Sequence, residues 1–174
     1  MVVPVGRVAP GLLDRIARFL AASCRCPCSV GQDEVDPAPA YNRVRGQYDC
    51  RRIFPLLDAV ASERSRRVLG ITEVDLYSAV FTFVFGEAHL GGRTGVFSLH
   101  RLHQSVYGLP PDPDRLLARA RREALHETGH LLGLIHCRNP ECVMRFSGSA
   151  EEADLKSDRF CDACRERILP ADGV

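Results

Sequence analysis

The chain switches between two spacings of apolar residues. Over residues 11–22, Leu12, Leu13, Ile16, Ala17, Phe19 and Leu20 are set against Asp14, Arg15 and Arg18, a stripe of helical period that predicts an amphipathic helix. Ile53, Leu56, Leu57 and Val60 repeat that spacing and predict a second helix over 47–61, with Pro55 as a flaw that kinks or shortens it. Short runs rich in Val, Ile and Phe predict strands at 1–5, 67–72, 79–85 and 95–99, and 24–30 reads as a further strand. Residues 32–41 are polar and hold Pro37 and Pro39, so they read as a loop, and Gly91, Gly92 and Gly95 mark a turn. Asp112 followed by Pro113 is a helix start, and the helix from Pro113 to about Leu132 is stopped by Gly133. Beyond it the chain is less regular, with Glu151, Glu152 and Asp154 reading as the first turn of a short helix. Strands interleaved with helices, without an internal repeat or a long linker, predict an α+β fold in one domain.

Composition narrows the setting. At 174 residues, with 45% apolar and 26% charged, the chain has the size and make-up of one globular domain. A net charge of +1 gives no electrostatic case for nucleic acid or an anionic membrane as partner. No apolar run approaches the ~18 residues of a membrane helix. Asp14, Arg15 and Arg18 interrupt the stretch before Ala22-Ser23-Cys24 that would otherwise pass for a signal peptide. The expected setting is the cytoplasm, as a monomer, where clustered cysteines are metal ligands more often than disulfides.

The candidate chemistry concentrates in His126-Glu127-Thr128-Gly129-His130-Leu131-Leu132-Gly133-Leu134-Ile135-His136. His126 and His130 are four apart, so a helix puts both imidazoles on one face, one turn apart. Both can then meet one Zn²⁺ at about 2.0–2.1 Å. Gly133 ends the helix and turns the chain back, which lets His136 approach the same ion. Three protein ligands leave a fourth position for water, the pattern of a catalytic site. Glu127, beside the first ligand, can face that zinc-bound water and take its proton without binding the metal. A bare His-Glu-x-x-His match arises by chance on ordinary helices. Here five of eleven positions are fixed, and the helix and its stop are predicted independently.

Cys137 directly follows the third His, Cys142 lies five residues on, and Cys161 and Cys164 form a C-x2-C pair after a gap of 18 residues. Two close pairs with a helix-sized insert are the arrangement of a closed four-thiolate structural zinc site. Such a site would tie the C-terminal segment to the turn and brace His136. Two disulfides, or thiols that merely pack, are the competing readings. Met144, eight residues after His136, can floor the metal site, although a lone Met is ordinarily core packing.

The run 126–136, continued by Cys137, Cys142, Met144, Cys161 and Cys164, resembles the archaemetzincin family of zinc metallopeptidases, within the metzincins. The motif block covers 119–164, and weaker similarity reaches Arg45, Gln47 and Tyr48, residues 83–88, and Gly91-Gly92-Arg93. The resemblance implies a zincin-like fold: a twisted mixed sheet with backing helices, an active-site helix and a small C-terminal lobe. An N-terminal lobe over about 1–133 and a C-terminal lobe over about 134–174 would flank a cleft. It implies two zinc ions, a catalytic one on His126, His130 and His136 and a structural one on Cys137, Cys142, Cys161 and Cys164. Glu127 would be the general base and Met144 the Met-turn. The sheet edge near 81–88 would line the cleft, with Phe85, Gly86, Glu87 and Ala88 receiving an extended peptide as an added strand. Phe146 departs from the pattern, because some metzincins carry a Tyr at that place. Without its hydroxyl, zinc would stabilise the reaction oxyanion largely alone.

The expected function is therefore zinc-dependent hydrolysis of peptide bonds, with endopeptidase and aminopeptidase action both open. The alternative is a non-catalytic, zinc-stabilised peptide-binding module with a vestigial three-His site, against which the intact Glu127 argues. On a strand, Cys24, Cys26 and Cys28 would share one face, so they offer either a further metal cluster or small buried apolar packing. Cys50 is remote in sequence, and His89, His100 and His103 have no ligand spacing to the main motif.

Overall fold

The structure, a computed structural model, describes residues 1–61 and 67–168. Strand β1 (Val2–Val5) leads into helix α1 (Pro10–Cys24). Two short strands, β2 (Tyr41–Asn42) and β3 (Gln47–Asp49), precede helix α2 (Cys50–Val60). Then come β4 (Val68–Thr72), β5 (Leu76–Tyr77), β6 (Gly86–Ala88) and β7 (Thr94–Ser98). The long helix α3 (Pro113–Leu131) is followed by α4 (Ala150–Leu155) and α5 (Asp162–Ile168). The last six positions of the expected C-terminal lobe, 169–174, lie outside the described residues. Among the described residues no helix is long and apolar enough to cross a membrane.

The main sheet has the order β1-β4-β7-β6. β1, β4 and β7 run parallel, and β6 returns antiparallel to β7 at the edge. All five residues of β4 and all five of β7 are buried, as parallel strands covered on both faces must be. The period-two alternation divides their side chains between two cores. Val2, Leu69, Ile71 and Phe97 pack with α1 and α3, whereas Val3, Val5, Val68 and Val96 pack with Ile53, Phe54 and Leu57 of α2. Ile53 and Leu57 are fully buried, each contributing about 1.5–3 kcal/mol. A second, smaller sheet orders β2-β3-β5.

Three expected elements are corrected. Residues 24–30 do not form a strand: Cys24 closes α1, Arg25 takes a left-handed φ of 49°, and only Val30 bridges to Val2. Cys24, Cys26 and Cys28 are consequently buried, exposed and half-buried, not on one face. Residues 79–85 are not a strand either; the edge strand is the three residues of β6. The helix expected from 47 starts at Cys50, because Gln47, Tyr48 and Asp49 pair with β2 and β5, and the Asp49 carboxylate caps α2 by accepting from the Arg51 amide. Pro55 does sit inside α2, on its exposed side, where the carbonyl it leaves unpaired can reach water.

Both ends of α3 follow the local signals. The Asp112 carboxylate accepts from the Arg115 amide, and Pro113 takes the first turn. At the other end Gly133 has φ +92°, its amide donates to His130 O at 2.9 Å and the Leu134 amide donates to Gly129 O at 2.9 Å. This pair of bonds is a Schellman stop, which a left-handed residue makes and glycine makes without strain. Arg119 of α3 donates twice to Asp154 of α4, at 2.9 and 2.6 Å, and once to Leu102 O, fastening the C-terminal segment to the helix.

Candidate active site

Most helices of a small domain bury an apolar stripe; α3 also buries Arg119, Glu123, His126 and Glu127. Polar groups withdrawn from water need partners, and three of these four face a single cleft. The cavity holds about 540 Å³ and runs between β6 and the last turns of α3. Phe81, Phe83, Leu90, Ile135 and Phe146 give it an apolar wall.

The three expected histidines converge. One ring nitrogen from each of His126, His130 and His136 lies within 4.8 Å of the others. Nδ1 of His126 donates to Val143 O at 2.8 Å and Nδ1 of His130 donates to Leu134 O at 2.8 Å. Since a carbonyl only accepts, both protons sit on Nδ1 and both Nε2 atoms carry lone pairs. Those Nε2 atoms approach to 3.1 Å. Two lone pairs at that distance repel unless a cation lies between them, so the pair fits a metal ion. Burial first, then the positive charge of Lys156 and the neighbouring His130, holds His126 well below the ordinary imidazole value. Burial lowers His130 and His136 as well, and a neutral imidazole is what a metal requires. Met144 is fully buried, with its sulfur against Gly129 of α3. Phe146, half-exposed, meets the His136 ring edge-on at 5.4 Å.

Glu127 points into the same cleft. It is 3% exposed, and its Oε2 is buried with no hydrogen-bond partner among the described residues. An orphaned carboxylate oxygen beside three converging imidazoles suits a water between them. Burial, and then Glu123 one turn earlier by charge and by hydrogen bond, pushes Glu127 well above the ordinary carboxyl value, opposed by Lys156. Sequence reasoning missed both neighbours. Glu123 reads as an ordinary polar helix position. Lys156 carries one signal: it is the one lysine in the chain, against 22 arginines.

The four cysteines form the second cluster. Their sulfurs lie within 4.8 Å of one another, Cys137 and Cys161 are 3.9 Å apart, and none is in a disulfide. A separation near 3.9 Å is about the edge of a tetrahedron with ~2.3 Å metal–sulfur bonds and nearly twice a disulfide bond. No group of three metal-binding side chains including Cys24, Cys26, Cys28 or Cys50 converges among the described residues. Cys50 is fully buried at the start of α2, beside Glu87.

β6 forms the opposite wall. Phe85 accepts from the Ser98 amide and the His89 amide donates to Thr94 O, so residues 85, 87 and 89 face β7. The antiparallel alternation therefore turns the amides and carbonyls of Gly86 and Ala88 outward, to the free edge. Phe85 itself is buried in the core beneath. Gly86 lies so close to α3 that a Cβ there would sit 2.7 Å from Glu127 Oε1. Gly86→Ala is accordingly expected to push the Glu127 side chain aside, to lower any activity that depends on Glu127 about 10–100-fold, and to lower the melting temperature by a few degrees. Unaltered kinetics would show that the contact does not set the position of Glu127.

The chain is similar to known proteins over most of its length. The family model described as peptidase family M54 matches residues 25–169. An archaemetzincin of Methanocaldococcus jannaschii is 48% identical over 132 residues, covering 76% of this chain and 72% of that protein. The crystal structure of the Methanopyrus kandleri archaemetzincin superposes with a TM-score of 0.84 at 37% identity, over 96% of this chain and 91% of that one. A zinc-dependent peptidase from Methanocorpusculum labreanum gives a TM-score of 0.88 at 30% identity, over 97% and 98%. With a matching fold, a matching family model and three imidazoles converging beside a glutamate, the chain belongs to peptidase family M54, the archaemetzincins, and is a zinc metallopeptidase.

Proposed function

We propose that the protein hydrolyses peptide bonds at the three-histidine centre, with Glu127 as general base. The carrying observation is the orphaned Oε2 of Glu127 in the cleft where the three imidazole nitrogens meet. In this reading His126, His130 and His136 hold the catalytic zinc, and Cys137, Cys142, Cys161 and Cys164 hold a second, structural one. Bound at the histidines, zinc supplies Lewis-acid activation of a water and of the scissile carbonyl. Glu127 takes the water's proton and passes it to the leaving amine. Val143 O and Leu134 O keep His126 and His130 in the ligating tautomer, and Met144 floors the site. The outward amides and carbonyls of Gly86 and Ala88 hold an extended peptide as an added strand, with Phe85 and Glu87 anchoring the edge to β7. Apolar substrate side chains then lie against Phe81, Leu90, Ile135 and Phe146. The chain after Gly133 forms the smaller lobe of the cleft.

Removal of metal tests the reading. Protein stripped of its histidine-bound zinc by a chelator should lose cleavage of a mixed peptide library and recover it when zinc alone is returned. Protein with both sites filled that binds peptides without cutting them would instead be a binding module.

A further inference from the structure

Lys156 is the one lysine in a chain that otherwise uses arginine for every cationic side chain. It sits at the C-terminal cap of α4 and is 2% exposed. Its ammonium donates to Arg145 O at 3.1 Å and lines the active-site cleft together with Glu123 and Glu127, the two carboxyls whose charges act on it most. A buried ammonium has three protons to place, and among the described residues the Arg145 carbonyl accepts one of them. Glu123 is 5% exposed, one turn before Glu127, and close enough to share a hydrogen bond with it. On the remaining side, Gly86 closes against Glu127 Oε1. Glu123 and Gly86 thus close on Glu127, Lys156 shares its cleft, and Oε2 is left without a hydrogen-bond partner among the described residues.

We propose that Lys156 and Glu123 are positioning residues for Glu127: the ammonium buried in the same cleft as the two carboxyls orients the side chain so that Oε2 faces the cleft. A compact ammonium with three freely directed protons fits between two carboxyls and a carbonyl, whereas the planar fork of arginine favours one carboxylate at a time. This explains why the one lysine stands here. The inference rests on the peptidase reading of the same site.

Two measurements test it. Lys156→Met should retain both zinc ions and the wild-type KM, and lower kcat about 10–100-fold, with Lys156→Arg recovering part of the loss. Glu123→Gln, which can still hydrogen-bond Glu127, should lose less than Glu123→Leu. Protein labelled with ¹⁵N only in lysine should give one side-chain ammonium signal, shielded from exchange and displaced by Glu127→Gln. Wild-type kcat in Lys156→Met, or equal losses in the methionine and arginine variants, would overturn the proposal. So would a lysine signal indifferent to Glu127→Gln, an arm that stands even where Lys156→Met does not fold. If the zinc-loaded wild type cuts no peptide, the peptidase reading fails by itself, and the labelled-lysine signal still decides whether Lys156 and Glu127 are coupled.

Discussion

Glu127→Gln is expected to lower kcat by about 10²–10⁴-fold while leaving the zinc content at the wild-type value. The amide is nearly the same size as the carboxylate, so the contacts with Gly86 and Glu123 persist. What disappears is the capacity of the orphaned Oε2 to accept and return a proton. KM should hardly change, because no substrate-binding contact is removed. Zinc per chain must be measured on the same sample, since loss of metal would mimic loss of the base. Cleavage that persists within about tenfold of wild type would remove Glu127 from the proton path.

If the four cysteines hold a second zinc as proposed, Cys142→Ser should reduce zinc from two ions per chain to one and lower the melting temperature by about 10 °C or more. Structural zinc sites carry apparent binding free energies of about 10–16 kcal/mol in zinc-finger peptides. Losing a third of that, at ~2–4 °C per kcal/mol for a chain of this size, gives a fall of the stated order. Cleavage should drop too, for local reasons. Cys142 precedes Val143, whose carbonyl orients His126, and Cys137 follows His136 and donates its amide to Met144 O at 2.9 Å. Loosening the thiolate cluster therefore loosens an imidazole, its orienting carbonyl and the floor of the site together. An unchanged metal count and melting curve would mean that the four sulfurs only pack.

What the sequence made legible is what short-range chemistry determines. Asp112, Pro113 and Gly133 fix α3 through bonds to residues within five positions, and the spacing of His126, His130 and His136 is written on that helix and its stop. The convergence of the four cysteines was equally plain, because its two pairs are close in sequence. The failures were non-local. Residues 79–85 look like a strand because Val80, Phe81, Phe83 and Val84 are apolar, yet Val80 is 82% exposed and Phe81 50%. This segment is held by distant side chains. Arg45 and Gln47 donate to the carbonyls of Phe81 and Thr82, and the Arg101 guanidinium lies 4.3 Å above the Phe83 ring. Glu123 and Lys156 escaped for the same reason, being 33 residues apart in sequence and joined only by the packing of α4 onto α3.

The free edge of β6 also bears on how the molecule avoids sticking to itself. An exposed strand edge templates sheet-to-sheet association, and natural proteins blunt such edges by keeping them short. β6 has three residues, of which Gly86 and Ala88 offer outward backbone groups. The chain then turns away at once, with the Gly91 amide tied to His130 O at 2.8 Å. Two residues of ladder are too few to hold another copy of the protein edge to edge. In the proposed reading they would suffice to align an extended peptide whose remaining affinity comes from elsewhere in the cleft. On that reading the shortness of one strand would separate reversible capture of a peptide from aggregation, which longer bare edges invite.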